Sequence, residues 1–143
     1  MMKHFTAALI AAAALTAPSR AQNASEIARV QAGGSCPGCN LFQADLSYRD
    51  LPGVDLSRAR LRQADLSLAT MNQARFSGAD LSVANLFGTR FTGASFRNAD
   101  LSRANAVGAY FGGADFSGAR LEGAALSGLE ASDAILAAEG RTV

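Results

Sequence analysis

Residues 79 to 86 read Ala79-Asp80-Leu81-Ser82-Val83-Ala84-Asn85-Leu86, and the distance between the two leucines decides what the chain can fold into. Five residues separate them, and the interval recurs along most of the sequence. From Leu41 a large apolar residue returns at Leu46, Leu51, Leu56, Leu61, Leu66, Met71, Phe76 and onward to Leu136, with only Ala106 and Ala131 interrupting the series. Two residues before each centre stands Ala in 15 of 20 units. Asp or Asn directly precedes ten of the centres, Ser or Thr follows ten, and Gly lies two after nine.

An α-helix cannot use this spacing, because five residues advance about 500° and successive centres would scatter around the cylinder. A flat strand fails as well, since an odd period sends alternate centres to opposite faces. The pattern works when four residues alternate in and out and the fifth turns a corner that resets the phase. The centre and the preceding Ala then point inward, and the Asp/Asn and Ser/Thr beside the centre point outward. Gly falls at the corner, where a turn that needs positive φ favours it.

Ala64-Asp65-Leu66-Ser67, the stretch from Ala79 to Leu86, and Ala99-Asp100-Leu101-Ser102-Arg103-Ala104-Asn105 resemble the A-(D/N)-L-x-x units of the pentapeptide-repeat family. The resemblance covers residues 39–138, or 20 units. It implies an all-β fold, a right-handed quadrilateral β-helix with four units per coil and about five coils. Sorting the centres by four then stacks Leu41, Leu61, Leu81, Leu101 and Leu121 on one face. Phe76, Phe96 and Phe116 stack on another, with Phe91 and Phe111 on the face between it and the second.

The segments outside the repeat suggest export and a cover. Lys3 precedes an apolar run from Phe5 to Ala17, and Ser19-Arg20-Ala21 offers small residues at the positions a signal peptidase reads, so residues 1–21 are expected to be a secretory signal peptide. The 13-residue run is too short for a stable membrane anchor. Residues 22–38 are expected to form an N-terminal cap: a short helix over 24–32, opened by a capping box at Asn23-Ala24-Ser25-Glu26, and a turn at Cys36-Pro37-Gly38-Cys39. Residues 139–143 form a tail.

Charge and composition exclude several functions. Of 13 basic residues, the signal peptide takes Lys3 and Arg20; the remaining 11 are all Arg and face 12 acidic ones, for a net charge of −1. No basic footprint for nucleic acid exists, and none is expected as a partner. The single His, His4, lies in the signal peptide, so no Cys-His or Ser-His pair is available, and the chain is expected to be no enzyme and to carry no cofactor or metal. Stacked outward carboxylates, Asp45 with Asp65 and Asp80 with Asp100, read as repeat residues.

For Cys36 and Cys39 three readings stand side by side: a disulfide fastening the cap to the first coil, a thiol redox pair, and half of a metal site. A protein partner is the expected ligand, met by a monomer or weak dimer. Outward residues that break the repeat mark the candidate surfaces, namely Phe87, Val107 and Tyr110 and the arginines Arg60, Arg62 and Arg97. The family includes cytoplasmic proteins that bind DNA gyrase as duplex mimics, a lesser alternative here because this chain is charge-balanced. Arg49 stands in an inward slot usually held by Ala, which predicts a coil around it that is distorted or open toward the cap.

Overall fold

A computed structural model describes residues 19–128. Most of the expected signal peptide, the centres Ala131 and Leu136, and the tail lie outside the described residues.

Backbone ladders carry the architecture. Parallel bridges join residues 20 apart, from Asn40 with Arg60 to Asn105 with Ala125, so one coil is four five-residue units. Each strand is a single bridge wide. The amide of a centre donates upward, as Leu61 N does to the Asp80 carbonyl at 2.7 Å, while the residue before it donates downward, as Asp80 N does to the Ala59 carbonyl at 3.0 Å. Within each corner the chain closes on itself, as when Ala64 N donates to the Leu61 carbonyl at 3.0 Å.

Four faces result, each named here by its buried column. Leu41, Leu61, Leu81 and Leu101 lie inside the first face; Leu46, Leu66, Leu86 and Ala106 inside the second; Leu51, Met71, Phe91 and Phe111 inside the third; Leu56, Phe76, Phe96 and Phe116 inside the fourth. Leu121 and Leu126 are only partly buried, because the described ladder ends beside them. The five phenylalanines form a herringbone: Phe76, Phe96 and Phe116 stack at 5.0 Å spacings, Phe91 and Phe111 stack at 5.3 Å, and rings of the two columns meet edge to face at 4.9–5.7 Å. Stacks and T-shaped pairs are the favourable aromatic geometries, so like rings meet through favourable contacts across the interior. Ala106 breaks the leucine column but not the ladder, since its amide still donates to Ala125 at 2.8 Å. Thr89 replaces an inward Ala at no exposure, and its hydroxyl is satisfied by the Leu66 carbonyl at 2.7 Å.

The corners explain the glycines. The residue two after each described centre has φ between 56° and 72°, whether or not it is Gly. L-residues enter that region at a cost of about 1–2 kcal/mol, which is highest for β-branched side chains. Val83, at φ 58°, carries the penalty most directly, whereas Asn98 holds the same conformation as a residue that tolerates it. Replacing Val83 with Asn should raise stability by about 0.5–1 kcal/mol, readable as a higher urea midpoint with an unchanged slope. Gly88→Ala should do the reverse. Its φ is +62°, and the added Cβ would stand 2.8 Å from Cδ2 of Leu68, whose side chain lies across the glycine.

Helix α1 spans Ser19–Gln31. It begins five residues before the expected start, and the capping-box reading of Asn23 and Glu26 does not hold. The helix continues through Asn23, and the Glu26 carboxylate instead accepts from Asn40 N, an amide of the first coil, at 2.7 Å. Its other end stops as Gly33-Gly34 suggests: Gly34 N bonds the Arg29 carbonyl, Gly33 N bonds the Val30 carbonyl, and Gly33 takes φ 93°, which is a Schellman stop. Ile27 packs against the core, Val30 is fully buried, and Gln31 Nε2 donates to the Asp45 carbonyl at 2.8 Å.

The expected distortion at Arg49 is confined to one turn. Its side chain is exposed instead of inward, and the Leu46–Arg49 corner lacks the closing hydrogen bond that the other described corners make. The ladder passes through unbroken, with Thr70 N on the Arg49 carbonyl at 2.8 Å. A guanidinium cannot be desolvated in an Ala-sized slot, so the corner opens and the side chain leaves.

Candidate functional site

The outer surface is built by one repeated local bond. An Asp or Asn before the centre accepts from the backbone N–H two residues on, an Asx arrangement that fixes the entry to the corner. Where the acceptor is Asp, that second residue is Ser: Asp45 with Ser47, Asp55 with Ser57, Asp65 with Ser67, Asp80 with Ser82, Asp100 with Ser102, Asp115 with Ser117. Where it is Asn, the second residue is apolar: Asn40 with Phe42, Asn85 with Phe87, Asn105 with Val107. A carboxylate profits from a second donor, and in several units the Ser hydroxyl supplies one, as Ser47 Oγ does at 2.6 Å. Beside an apolar residue no such donor exists, and the neutral amide avoids placing a charge against it.

These bonds hold four carboxyls below the usual carboxylate range. Ser47 does so for Asp45, through its hydroxyl first and then its amide; Ser57 for Asp55 and Ser117 for Asp115 in the same way; at Asp100 burial works in the opposite direction but is outweighed by Ser102, with Arg120 and Arg62 assisting. A lowered folded pKa means a contribution that is complete above the unfolded value near 4 and lost as pH falls through the folded one. The melting temperature should therefore decline below about pH 4. Replacing Asp45, Asp55, Asp100 and Asp115 with Asn, which keeps an acceptor but removes the ionised form, should flatten that decline by lowering neutral-pH stability toward its acid value; thermal melts across pH 2–7 read both.

The candidate contact residues divide into three places. Phe87 and Val107 lie on successive coils at the corner after the second face, with Gly88 N on the Val107 carbonyl at 3.0 Å. Tyr48 and Leu68 continue the same corner on the two preceding coils, and Tyr48, Leu68 and Phe87 are 75%, 45% and 45% exposed. Sequence reasoning singled out only the upper pair. Tyr48 and Leu68 sit one position later in their units, and the signal that would have found them is the 20-residue alignment of 48, 68, 88 and 108. Tyr110 belongs to the adjoining third face, exposed and under the Arg90 guanidinium at 5.6 Å.

Arg60 and Arg62 lie together on the first face, in a shallow depression of about 240 Å³ with Asn40, Phe42 and Asp80. A second depression of about 280 Å³ shares Arg62 and adds Arg103, Arg120, Asp100 and Ser102. Arg97 is on the fourth face, joined to Asp115 at 3.1 Å, and does not belong with them. Asp45 with Asp65 and Asp80 with Asp100 stack as bridge partners. Among the described residues no group of three or more His, Cys, Asp and Glu is placed to hold a metal, and no helix is long and apolar enough to cross a membrane.

Cys36 and Cys39 are brought to bonding contact, with Cα atoms 5.5 Å apart. Both belong to the coil. Cys36 N donates to the Asp55 carbonyl, Cys39 N closes the corner on the Cys36 carbonyl, and Cys36 and Cys39 fill a centre slot and an Ala slot. A link between them therefore ties the first corner to itself and does not tie α1 to the coil, as the fastening reading expected. Contact with the helix is made by Arg29, whose Nη1 lies 3.7 Å from Cys36 Sγ.

Comparison with known proteins agrees with this geometry. The family model described as pentapeptide repeats (8 copies) matches residues 39–78, 64–103 and 94–136. HetL, a pentapeptide repeat protein involved in heterocyst differentiation regulation from Nostoc sp. strain PCC 7120, superposes with a TM-score of 0.70 at 37% identity, over 76% of this chain and 51% of that one. A pentapeptide repeat protein from the Arabidopsis thaliana thylakoid lumen gives 0.61 at 31%, over 62% of each chain. The Nostoc protein alr5209 gives 0.61 at 33%, over 76% of this chain and 93% of that one. The chain thus spans about half of HetL and under two thirds of the Arabidopsis protein. A search of curated proteins gave no match. With a 20-residue coil, Leu and Phe columns inside and an A-(D/N)-L-x-x unit matched from residue 39 to 136, the chain belongs to the pentapeptide-repeat family.

Proposed function

We propose that this chain is an exported, non-enzymatic scaffold that binds a protein partner through faces of its β-helix, with α1 serving as the cap of the first coil. The observation that carries the reading is the apolar row in which Tyr48, Leu68 and Phe87 are exposed and Val107 half-buried, on a rigid ladder that gains nothing from exposing it. The cap assignment is supported by Glu26, Ile27, Val30 and Gln31, which cover amides, carbonyls and core residues of the first coil. A duplex mimic for gyrase finds no support in the surface charge, because the described coils carry nine arginines against seven Asp and one Glu.

Affinity capture from periplasmic extract tests the partner reading. The parent chain should retain a protein that the Phe87→Ser, Val107→Ser variant does not. Equal retention by both would end it.

Cys36 and Cys39 form a structural disulfide in this reading. Closing a four-residue loop contributes only about 2 kcal/mol on chain-entropy grounds, so reduction should lower the melting temperature by several degrees and leave the fold intact. Thiol titration and intact mass before and after reduction check the bond. Turnover of a dithiol substrate would favour a redox role instead.

A further inference from the structure

Charge is distributed unevenly over the four faces. All nine arginines of the described coils lie on the first, third and fourth faces: Arg60, Arg62, Arg103 and Arg120 on the first, Arg49 and Arg90 on the third, Arg58, Arg75 and Arg97 on the fourth. The second face has none in its own units, and only Arg49, turned outward at the corner it shares, lies near enough to act on Asp45. Its outward residues are small and neutral apart from Asp45 and Asp65, and its corner carries the whole apolar row. Cations scattered over a flat β surface keep it solvated and discourage association. One face has been left with a single cation, at the edge of its first coil.

We propose that the second face is a self-association surface, on which a second copy of this chain docks with its coil stack antiparallel. The inference rests on the partner reading above and names the occupant of that face.

Self-complementarity argues for the second copy. Reading up the stack, the outward column is Asp45, Asp65, Asn85, Asn105, Ala125. A two-fold axis running along the strand direction at the Asn85 coil keeps each column over itself and reverses its order. Asp45 then meets Ala125 of the other copy, Asp65 meets the Asn105 amide, and no two carboxylates face each other. The same operation sets Leu68 against Val107 and Phe87 against its own copy beside the axis, while Tyr48 falls over Gly128. A parallel arrangement would instead set carboxylates against the apolar row and close to each other. The interface is isologous and closed, so a dimer is the end state. It is also small: a face some 12 by 20 Å, from strand dimensions, covers a few hundred Å² per copy, under the roughly 800 Å² of a standard interface. Association is accordingly reversible and depends on concentration.

Sedimentation equilibrium of the exported chain, from about 10 µM to 1 mM, should show the average mass rising from one chain toward two. Phe87→Arg should hold it at one. Arg already occupies the equivalent outward position at Arg62 and Arg97, so the coil accepts it there. Thr92→Arg, at the same position of the third face, should leave the rise unchanged. Facing β surfaces lie about 10 Å apart, so Asn85→Cys should be joined to its own copy by a short bismaleimide, while Ser95→Cys on the fourth face should not. A mass that stays at one chain throughout, growth beyond two, or an undisturbed dimer in Phe87→Arg overturns the proposal. Failure here is distinct from failure of the partner reading: capture lost only in the Phe87, Val107 double variant, with a monomeric chain, sinks self-association alone, and a dimer that captures nothing sinks the other.

Discussion

Phe96→Ala is expected to cost about 4 kcal/mol, in the middle of the range for buried phenylalanines. Phe96 has no exposed surface and contacts four rings: it stacks on Phe76 and on Phe116, each at 5.0 Å, and meets Phe91 and Phe111 edge to face at 5.0 and 5.6 Å. Each such pair adds roughly 0.5–1.5 kcal/mol beyond area burial, and the stiff coils above and below cannot close over the vacancy. A domain of this size holds about 5–15 kcal/mol in total, so the loss threatens the fold. It also changes how the fold is lost. In a solenoid each coil contacts only its neighbours, so weakening the junction at Phe96 should split one unfolding transition into two. Urea unfolding followed by circular dichroism should show a lower midpoint and a shallower or biphasic curve. Phe96→Leu, which keeps most of the volume, should recover the larger part of the loss.

Arg49 and Ala69 make the second test, because they occupy the same inward slot on successive coils. At Arg49 the chain opens the corner and turns the guanidinium outward. Ala69 is 1% exposed, its N–H closes the corner on the Leu66 carbonyl at 3.1 Å, and its carbonyl accepts from Arg90 N of the next coil at 3.0 Å. Ala69→Arg must either bury an unpaired charge or break a corner in mid-stack, at several kcal/mol in either case. We expect the variant to be unfolded or aggregated at 37 °C. The converse, Arg49→Ala, restores the inward side chain and the missing corner bond and should gain about 1 kcal/mol. If Ala69→Arg melts within a few degrees of the parent, the inward slots are more permissive than their uniform alanines suggest.

The two substitutions also mark how much was legible in the sequence. A period of five that never slips leaves one solution for which side chains face inward, so the columns of Leu and Phe could be written down from Leu41 onward. What the period does not encode is how a unit behaves when its residue disobeys. Arg49 could distort the coil or leave it, and only the balance between one corner bond and desolvation decides. Helix α1 was legible at its end, where Gly33-Gly34 stops it, but not at its start, because Glu26 serves the first coil and not its own helix. The contact row was half visible for a similar reason. Phe87 and Val107 stand where Ser is usual and so announce themselves, whereas Tyr48 and Leu68 stand at corners that Gln, Arg and Val also occupy. The pairing of Asp with Ser and of Asn with apolar neighbours was present in the letters throughout, and it gains meaning only once the bond between those positions is known.

The ladder has a mechanical consequence. Each five-residue unit sends three hydrogen bonds across a coil junction, so the junction above the coil starting at Leu61 is crossed by twelve, all directed along the stack. Tension applied along that axis loads the twelve together, as in a cable, whereas a pull on one end of the chain across the axis meets them three at a time. The protein should behave as a strut under load along its length and as a spool when its end is drawn sideways.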